Sequence, residues 1–387
     1  MTESATPRPW YRRMRPRRPN EPHRSATPLE LFFDLCFVVA VTQAAGELHD
    51  ALVAGRPGHA MLSYLTVFFA IWWAWTNFTW FSSAYETDDD VYRVTTLVQI
   101  AGALILAAGV PPAFESADFA TVTLGYVVMR LATVANWMRA ATSDPRHRGT
   151  ALRYAAGVAL VQLGWAVRLL LPTDVGLLSF LLLAVADLLV PVFAERAGMT
   201  SWHPRHIAER YGLFTLIVLG YVVLAITVAV QTGVDAGDEG LWPVAVAGTA
   251  IVFALWWLYF DRPVGLPARL ARGLAWGYGH YFVFAGVAAV GAGVAVAIDR
   301  QRHPGQVGAL LAGYAVAVPV AVVLLVLWAL RILPHRQRVV RVAIPLTAVV
   351  VLFTPLSSIS VYLVAALLVA LVALVSWAST RRTPAGG

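Results

Sequence analysis

No lysine occurs in the 387 residues: all 29 basic residues are arginine. That excludes a retinal or pyridoxal Schiff base and the lysine of a phosphate loop. Cysteine is nearly as scarce, and the single Cys36 allows neither an intrachain disulfide nor a cysteine-based metal cluster. Charge is thin as well. Charged residues make up 13% of the chain, against about 25% in soluble domains. No nucleophile elbow, phosphate loop or paired Cys/His site is present, and Arg331 to Arg341 lacks the even spacing of a voltage sensor. What remains is apolar: 59% hydrophobic residues and a mean hydropathy of +0.67. The chain reads as an all-α polytopic membrane protein, with lipid as its surroundings, no nucleic-acid partner and no cofactor.

Residues 1–26 hold seven arginines among prolines and no apolar run, so they read as a disordered basic cytoplasmic tail suited to anionic lipid. Arg12-Arg13 and Arg17-Arg18 suggest a twin-arginine signal, but no small-residue cleavage site follows. Beyond the tail, apolar segments of bilayer length fall at roughly 28–48, 60–83, 91–110, 117–141, 150–171, 176–194, 206–231, 241–260, 272–298, 305–331, 338–354 and 357–378. With twelve spans, 24 of the 29 arginines lie on the side of the two termini. The positive-inside rule then makes both termini cytoplasmic, in a bacterial cytoplasmic membrane. Glu30 and Glu209 open the first and seventh spans, and Trp72-Trp73 recurs as Trp256-Trp257. These correspondences suggest two parallel six-helix repeats, 27–195 and 196–380, followed by a short tail at 381–387.

Ionisable residues inside membrane segments are costly and mark candidate sites. Glu30 and Asp34 stand one turn apart on one helix face. Thr27 with Glu30 also forms a capping box, with Pro28 at the first helical position, so Glu30 has a purely local reading. Asp34 has none, and reads either as a functional group or as a pairing partner. Arg130 lies about 16 Å along its helix from the cytoplasmic end and needs a carboxylate; Asp187 and Asp34 are the favoured partners. A pair that only fixes helix packing is the competing reading. His280 sits in a glycine-rich span that is either tightly packed or partly unwound around a site. His203, His206 and Glu209 do not share one tight face, so no metal site is read there. A polar cluster of Asp88, Asp89, Arg93, Glu209, Arg210, Asp261 and Arg262 is expected at the cytoplasmic face, where Trp72-Trp73 and Trp256-Trp257 read as interfacial belts.

The blocks LELFFDLCFVVAVTQ, WWAWTNFTWFSSAYETDDD, HIAERYGLFTLIVLG, LWWLYFDR and GYGHYFVFAGVAAVGAG resemble the bacterial low-temperature-requirement A (LtrA) membrane proteins. The resemblance runs from Leu29 to Gly293. It implies a bacterial integral membrane protein tied to growth in the cold, and no particular substrate. One departure is Tyr221, where the family pattern has an acidic residue. Three functions fit the residues. One is transport of an ion or small solute past Glu30, Asp34, Arg130, Asp187 and His280. The others are a membrane enzyme acting on lipid, and a sensor or scaffold.

Overall fold

The computed structural model describes residues 9–18, 21, 24–172, 175–235, 237, 239–261, 266, 269–332 and 337–380. Among them the secondary structure is helical, with no strand. Each of the twelve expected segments coincides with a helix: α1 (Pro28–Val53), α2 (Pro57–Tyr85), α3 (Asp90–Ala108), α5 (Ala120–Ser143), α6 (Arg148–Arg168), α7 (Gly176–Glu195), α8 (Pro204–Asp235), α9 (Trp242–Phe260), α10 (Leu270–Arg302), α11 (Ala309–Leu327), α12 (Arg338–Val351) and α13 (Ser360–Thr380). A single short helix, α4 (Val110–Glu115), follows α3. Nine of the twelve, among the described residues, are long and apolar enough to cross a membrane on their own. The other three, α2, α5 and α6, carry Trp, Asn, Thr, Gln or Arg in their sequences and are less apolar.

Local chemistry sets the helix ends. Gly55, at φ 73°, ends the run that α1 begins, and Pro57 opens α2 at a position where its missing N–H is harmless. Asp89 caps α3 by accepting the Tyr92 N–H at 2.9 Å.

The helices form two compact units. The first comprises Met1–Gln43 and Thr66–Arg210, the second Ala44–Leu65 and Tyr211–Gly387. They do not coincide with 27–195 and 196–380, because α1, α2 and α8 each contribute to both.

In the first unit α3 and α5 approach closely through glycine. A β-carbon on Gly102 would lie 2.8 Å from the Gly125 carbonyl oxygen, too near for any other residue. Trp72, Trp73 and Trp75 are buried in this unit's core. The belt reading is thus wrong for Trp72 and Trp73; Trp256 and Trp257 on α9 are exposed, so the two pairs occupy different surroundings. In the second unit, Gly279, Gly286 and Gly293 recur every seven residues along α10 and seat Leu330, Val323 and the backbone at Ala315 of α11 and its extension. α10 runs unbroken for 33 residues. Of the two readings of its glycines, close packing is the one realised.

The described part of the N-terminal segment is not a free tail. Met14 is fully buried, Arg17 N–H donates to the Ala84 carbonyl at 2.9 Å, and Arg12 N–H donates to Asp89 at 2.6 Å. Composition missed this because backbone and one methionine, rather than an apolar run, hold the segment down.

Candidate functional site

Two buried ionic nodes lie within the first unit. At the first, the capping box at the start of α1 is formed: Thr27 N–H donates to Glu30 Oε2 at 2.9 Å, and Glu30 N–H to Thr27 Oγ1 at 3.4 Å. Glu30 does more than cap. Its Oε1 lies 3.1 Å from Arg210 Nη1, and its Oε2 3.2 Å from His206 Nε2. One turn on, Asp34 accepts Arg210 Nε at 3.0 Å, Arg210 Nη2 at 2.6 Å and Trp75 Nε1 at 2.7 Å. The fork-to-fork geometry is the strong form of a guanidinium–carboxylate pair. Glu30, Asp34, His206 and Arg210 all have relative exposures of 0%. The pairs Glu30–His206 and Asp34–Arg210 share one sequence offset, 176 residues. Two carboxylates at (i, i+4) thus face a histidine and an arginine at (i, i+4), so the starts of α1 and α8 run parallel and in register. Arg210, expected in a surface cluster, is a buried member of this node.

The second node joins α5 and α7. Arg130 on α5 pairs with Asp187 on α7, Nη2 to Oδ1 at 3.1 Å. Of the two acids expected for Arg130, Asp187 is the partner and Asp34 is not. Asp187 Oδ2 also accepts the Tyr126 hydroxyl at 2.9 Å and Trp165 Nε1 at 2.8 Å. Both charged groups are 1% exposed. Unlike Arg210, Arg130 keeps a spare donor: Nη1 has no hydrogen-bond partner among the described residues. Gln162 on α6 is also buried, and neither end of its amide is hydrogen-bonded. The ring pairs Tyr126–Trp165 (6.1 Å) and Trp137–Tyr154 (4.1 Å) fix α5 and α6 antiparallel. That register brings Gln162 to the level of Arg130. Toward the Arg168 end of α6 lies a cavity of about 30 Å³ that touches the two Asp187 donors Tyr126 and Trp165 but neither Arg130 nor Gln162, with room for a water molecule. It is lined by Phe69, Thr123, Tyr126, Trp165, Arg168 and Phe180. Thr133 and Gln99 (3.3 Å), then Asn136 and Thr95 (3.1 Å), continue a polar seam along α3 and α5. Sequence reading passed over Gln162 because a single amide in an apolar run carries no charge signal.

The remaining candidates are more dispersed. Arg139 Nη1 donates to Asp89 Oδ1 at 3.1 Å, and Arg93 reaches Asp88 at 2.8 Å. Burial pushes the Asp89 carboxyl up, but Arg139 and the Tyr92 and Arg12 N–H groups outweigh it and hold it below its ordinary value. Glu209 is exposed and accepts the Ala26 N–H at 3.3 Å. His203 donates Nε2–H to the Glu21 carbonyl and accepts the His206 N–H at Nδ1, so both ring nitrogens are engaged in hydrogen bonds. Asp261 and His280 belong to the second unit, and Arg262 lies outside the described residues. His280 donates Nδ1–H to the Trp276 carbonyl (2.8 Å) and its Nε2 lies 3.2 Å from the Tyr259 hydroxyl, so both ring nitrogens are engaged within the core. The second unit has its own carboxylate–histidine contact, His49 Nε2 to Asp299 Oδ2 at 2.8 Å.

The model of the bacterial low temperature requirement A protein (LtrA) family matches residues 25–378. The chain belongs to that family. A relative from Rhizobium meliloti (strain 1021), named uncharacterized protein RA0937, is 25% identical over 313 residues, covering 76% of this chain and 73% of its own. The family match spans both units, so the two ionic nodes and the glycine-packed α10–α11 pair all lie within the LtrA region.

Proposed function

We propose that this LtrA protein moves a small ion or polar solute across the bacterial cytoplasmic membrane. In this reading the chain crosses twelve times with both termini cytoplasmic, as the 24 arginines on one side support. The pathway runs through the first unit, and its selective point is Arg130, Asp187 and Gln162. One observation carries the proposal: Arg130, 1% exposed, pairs with Asp187 yet retains an Nη1 without a hydrogen-bond partner among the described residues, at the level of an amide equally without one. A pair that served packing alone would gain from closing those hydrogen bonds, since an unmet buried polar group costs roughly 1–3 kcal/mol. Groups left open at membrane depth instead suit a transient polar visitor. The parallel offset of 176 residues between α1 and α8 supports two repeats related about the membrane normal. The unlike tryptophan pairs do not.

The test is current or flux in proteoliposomes. Chloride, acetate and protons, offered singly, should include at least one species whose movement depends on the protein and is lost in Arg130→Leu and Gln162→Leu. Movement equal in both variants and wild type would remove the pathway from this site. Cysteine labels at Ser25 and Arg146 reacting from the cytoplasm, and at Arg56 from outside, are the expected topology.

A further inference from the structure

Away from the Arg130 node, the N-terminal segment and the end of α2 enclose an open cleft of about 990 Å³, whose Glu86 is tied through Arg24 to Glu30 of the other node (3.1 and 3.8 Å). Five arginines line it: Arg12, Arg13, Arg15, Arg17 and Arg18. Its two carboxylates are already occupied. Glu21 pairs with Arg17 at 3.1 Å, and Glu86 with the buried Arg24 at 3.1 Å. Arg12, Arg13, Arg15 and Arg18 are exposed, and among the described residues none of their guanidinium groups has an acidic partner. Four uncompensated cations around one cleft repel each other. The segment is nonetheless held in place by the buried Met14, the Arg17–Ala84 and Arg12–Asp89 bonds, and Arg139, which donates to the Arg12 carbonyl at 2.7 Å and lies 4.6 Å from the Tyr11 ring centre.

We propose that this cleft binds a phosphate-bearing anion, gripped by Arg12, Arg13, Arg15 and Arg18. Guanidinium forks match phosphate oxygens two at a time, and no lysine is available to do it as a point charge. The volume is that of a small-molecule site rather than of one bound ion. A loose basic tail would meet phosphate only by average attraction. A segment fixed by backbone hydrogen bonds presents its arginines already ordered, which lowers the entropy lost on binding. The phosphate has two sources, a soluble phosphate compound and an anionic lipid headgroup, and the same recognition serves either. The inference stands apart from the transport reading, because none of its residues belongs to the Arg130 node.

The test uses the full-length protein in nanodiscs. In zwitterionic discs, inorganic pyrophosphate is titrated and followed by calorimetry. In discs containing phosphatidylglycerol, retained anionic lipid is counted by native mass spectrometry. Arg13→Ser/Arg15→Ser/Arg18→Ser is compared with Arg146→Ser/Arg148→Ser/Arg196→Ser, a triple of equal charge drawn from other exposed positions. We expect wild type and control to bind, and the cleft triple to lose affinity or retained lipid by about tenfold, with binding that falls as salt rises. Pyrophosphate binding identifies a soluble ligand; lipid retention alone identifies a headgroup. Binding of neither, or equal loss in both triples, overturns the proposal. The single variants Arg13→Ser and Arg15→Ser, each with partial loss, guard against a folding defect in the triple.

Discussion

Asp34–Arg210 and Arg130–Asp187 are the same chemical pair in two different settings. At Asp34, three nitrogens converge on one carboxylate and the remaining guanidinium nitrogen faces Glu30. At Arg130, one nitrogen meets Asp187 while another is unpartnered. The carboxylates differ in the opposite sense: Asp187 has two further neutral donors, Tyr126 and Trp165, and Asp34 only Trp75. The Asp34–Arg210 pair is therefore closed and holds α1 to α8; beside it, among the described residues, Glu30 Oε1 makes ion contacts but no hydrogen bond, and His206 Nδ1 has no hydrogen-bond partner. The second pair is tolerant of losing its cation and has unused polarity. Closure around the cation is a mark of structure; a spare donor on a buried guanidinium is a mark of use.

The largest expected effect lies at the closed node. Arg210→Leu strands Asp34, while Glu30 keeps Arg24 at 3.8 Å and His206 at 3.2 Å, and it should lower stability by about 3–5 kcal/mol, the cost of an uncompensated buried charge. Thermal melting in detergent measures it. Asp34→Leu/Arg210→Leu should recover part of that loss, and a double variant as unstable as the sum of the singles would show the node is not a coupled pair.

At the open node the asymmetry can be split. Asp187→Leu strands Arg130 and should cost about 3 kcal/mol or more, whereas Arg130→Leu leaves Asp187 two donors and should cost about 1–2 kcal/mol. Equal losses would erase the distinction drawn here. Gln162→Leu sharpens it further. It removes an amide with no partner, so melting should be unchanged or rise by up to about 1 kcal/mol, while flux falls. A drop in stability would show that Gln162 is held by contacts its geometry does not reveal.

These contrasts also show what was readable beforehand. Hydropathy located the helices because their apolar runs are of bilayer length, and among the few acids available to Arg130 the two favoured ones included its partner. Asp34 was legible as a group needing an explanation, yet its partner was not. Arg210 lies beside the polar Arg205 and Glu209 at the start of α8, and only the packing of α1 on α8 turns it inward. The (i, i+4) spacing of His206 and Arg210, matching that of Glu30 and Asp34, was the available signal. The folded N-terminal segment was illegible, since arginine and proline content says nothing of the backbone bonds to Ala84 and Asp89. Its order depends on partners about 70 residues away, which no local pattern records.

The smallest effect concerns that segment's tether, Asp89. Its carboxyl is held below its ordinary value, chiefly by Arg139 working against burial. A depressed carboxylate contributes stability that is fully present above its unfolded value, near 3.9, and disappears as pH falls through the lower folded value. Asp89→Asn should thus melt earlier than wild type at pH 7 by about 1 kcal/mol, and the gap should close as pH falls below about 4. Asp144 titrates in the same window, its carboxyl pushed up by burial and pulled below its ordinary value by His147 and Tyr85. Wild type will therefore lose stability in acid for more than one reason, and only the difference from Asp89→Asn isolates the tether. A gap that stays constant down to pH 3 would mean the bond to Arg139 does not depend on the charge of Asp89. The N-terminal segment would then be held by Met14 and its backbone bonds alone, and the closed, ion-bound character would stop at Arg210.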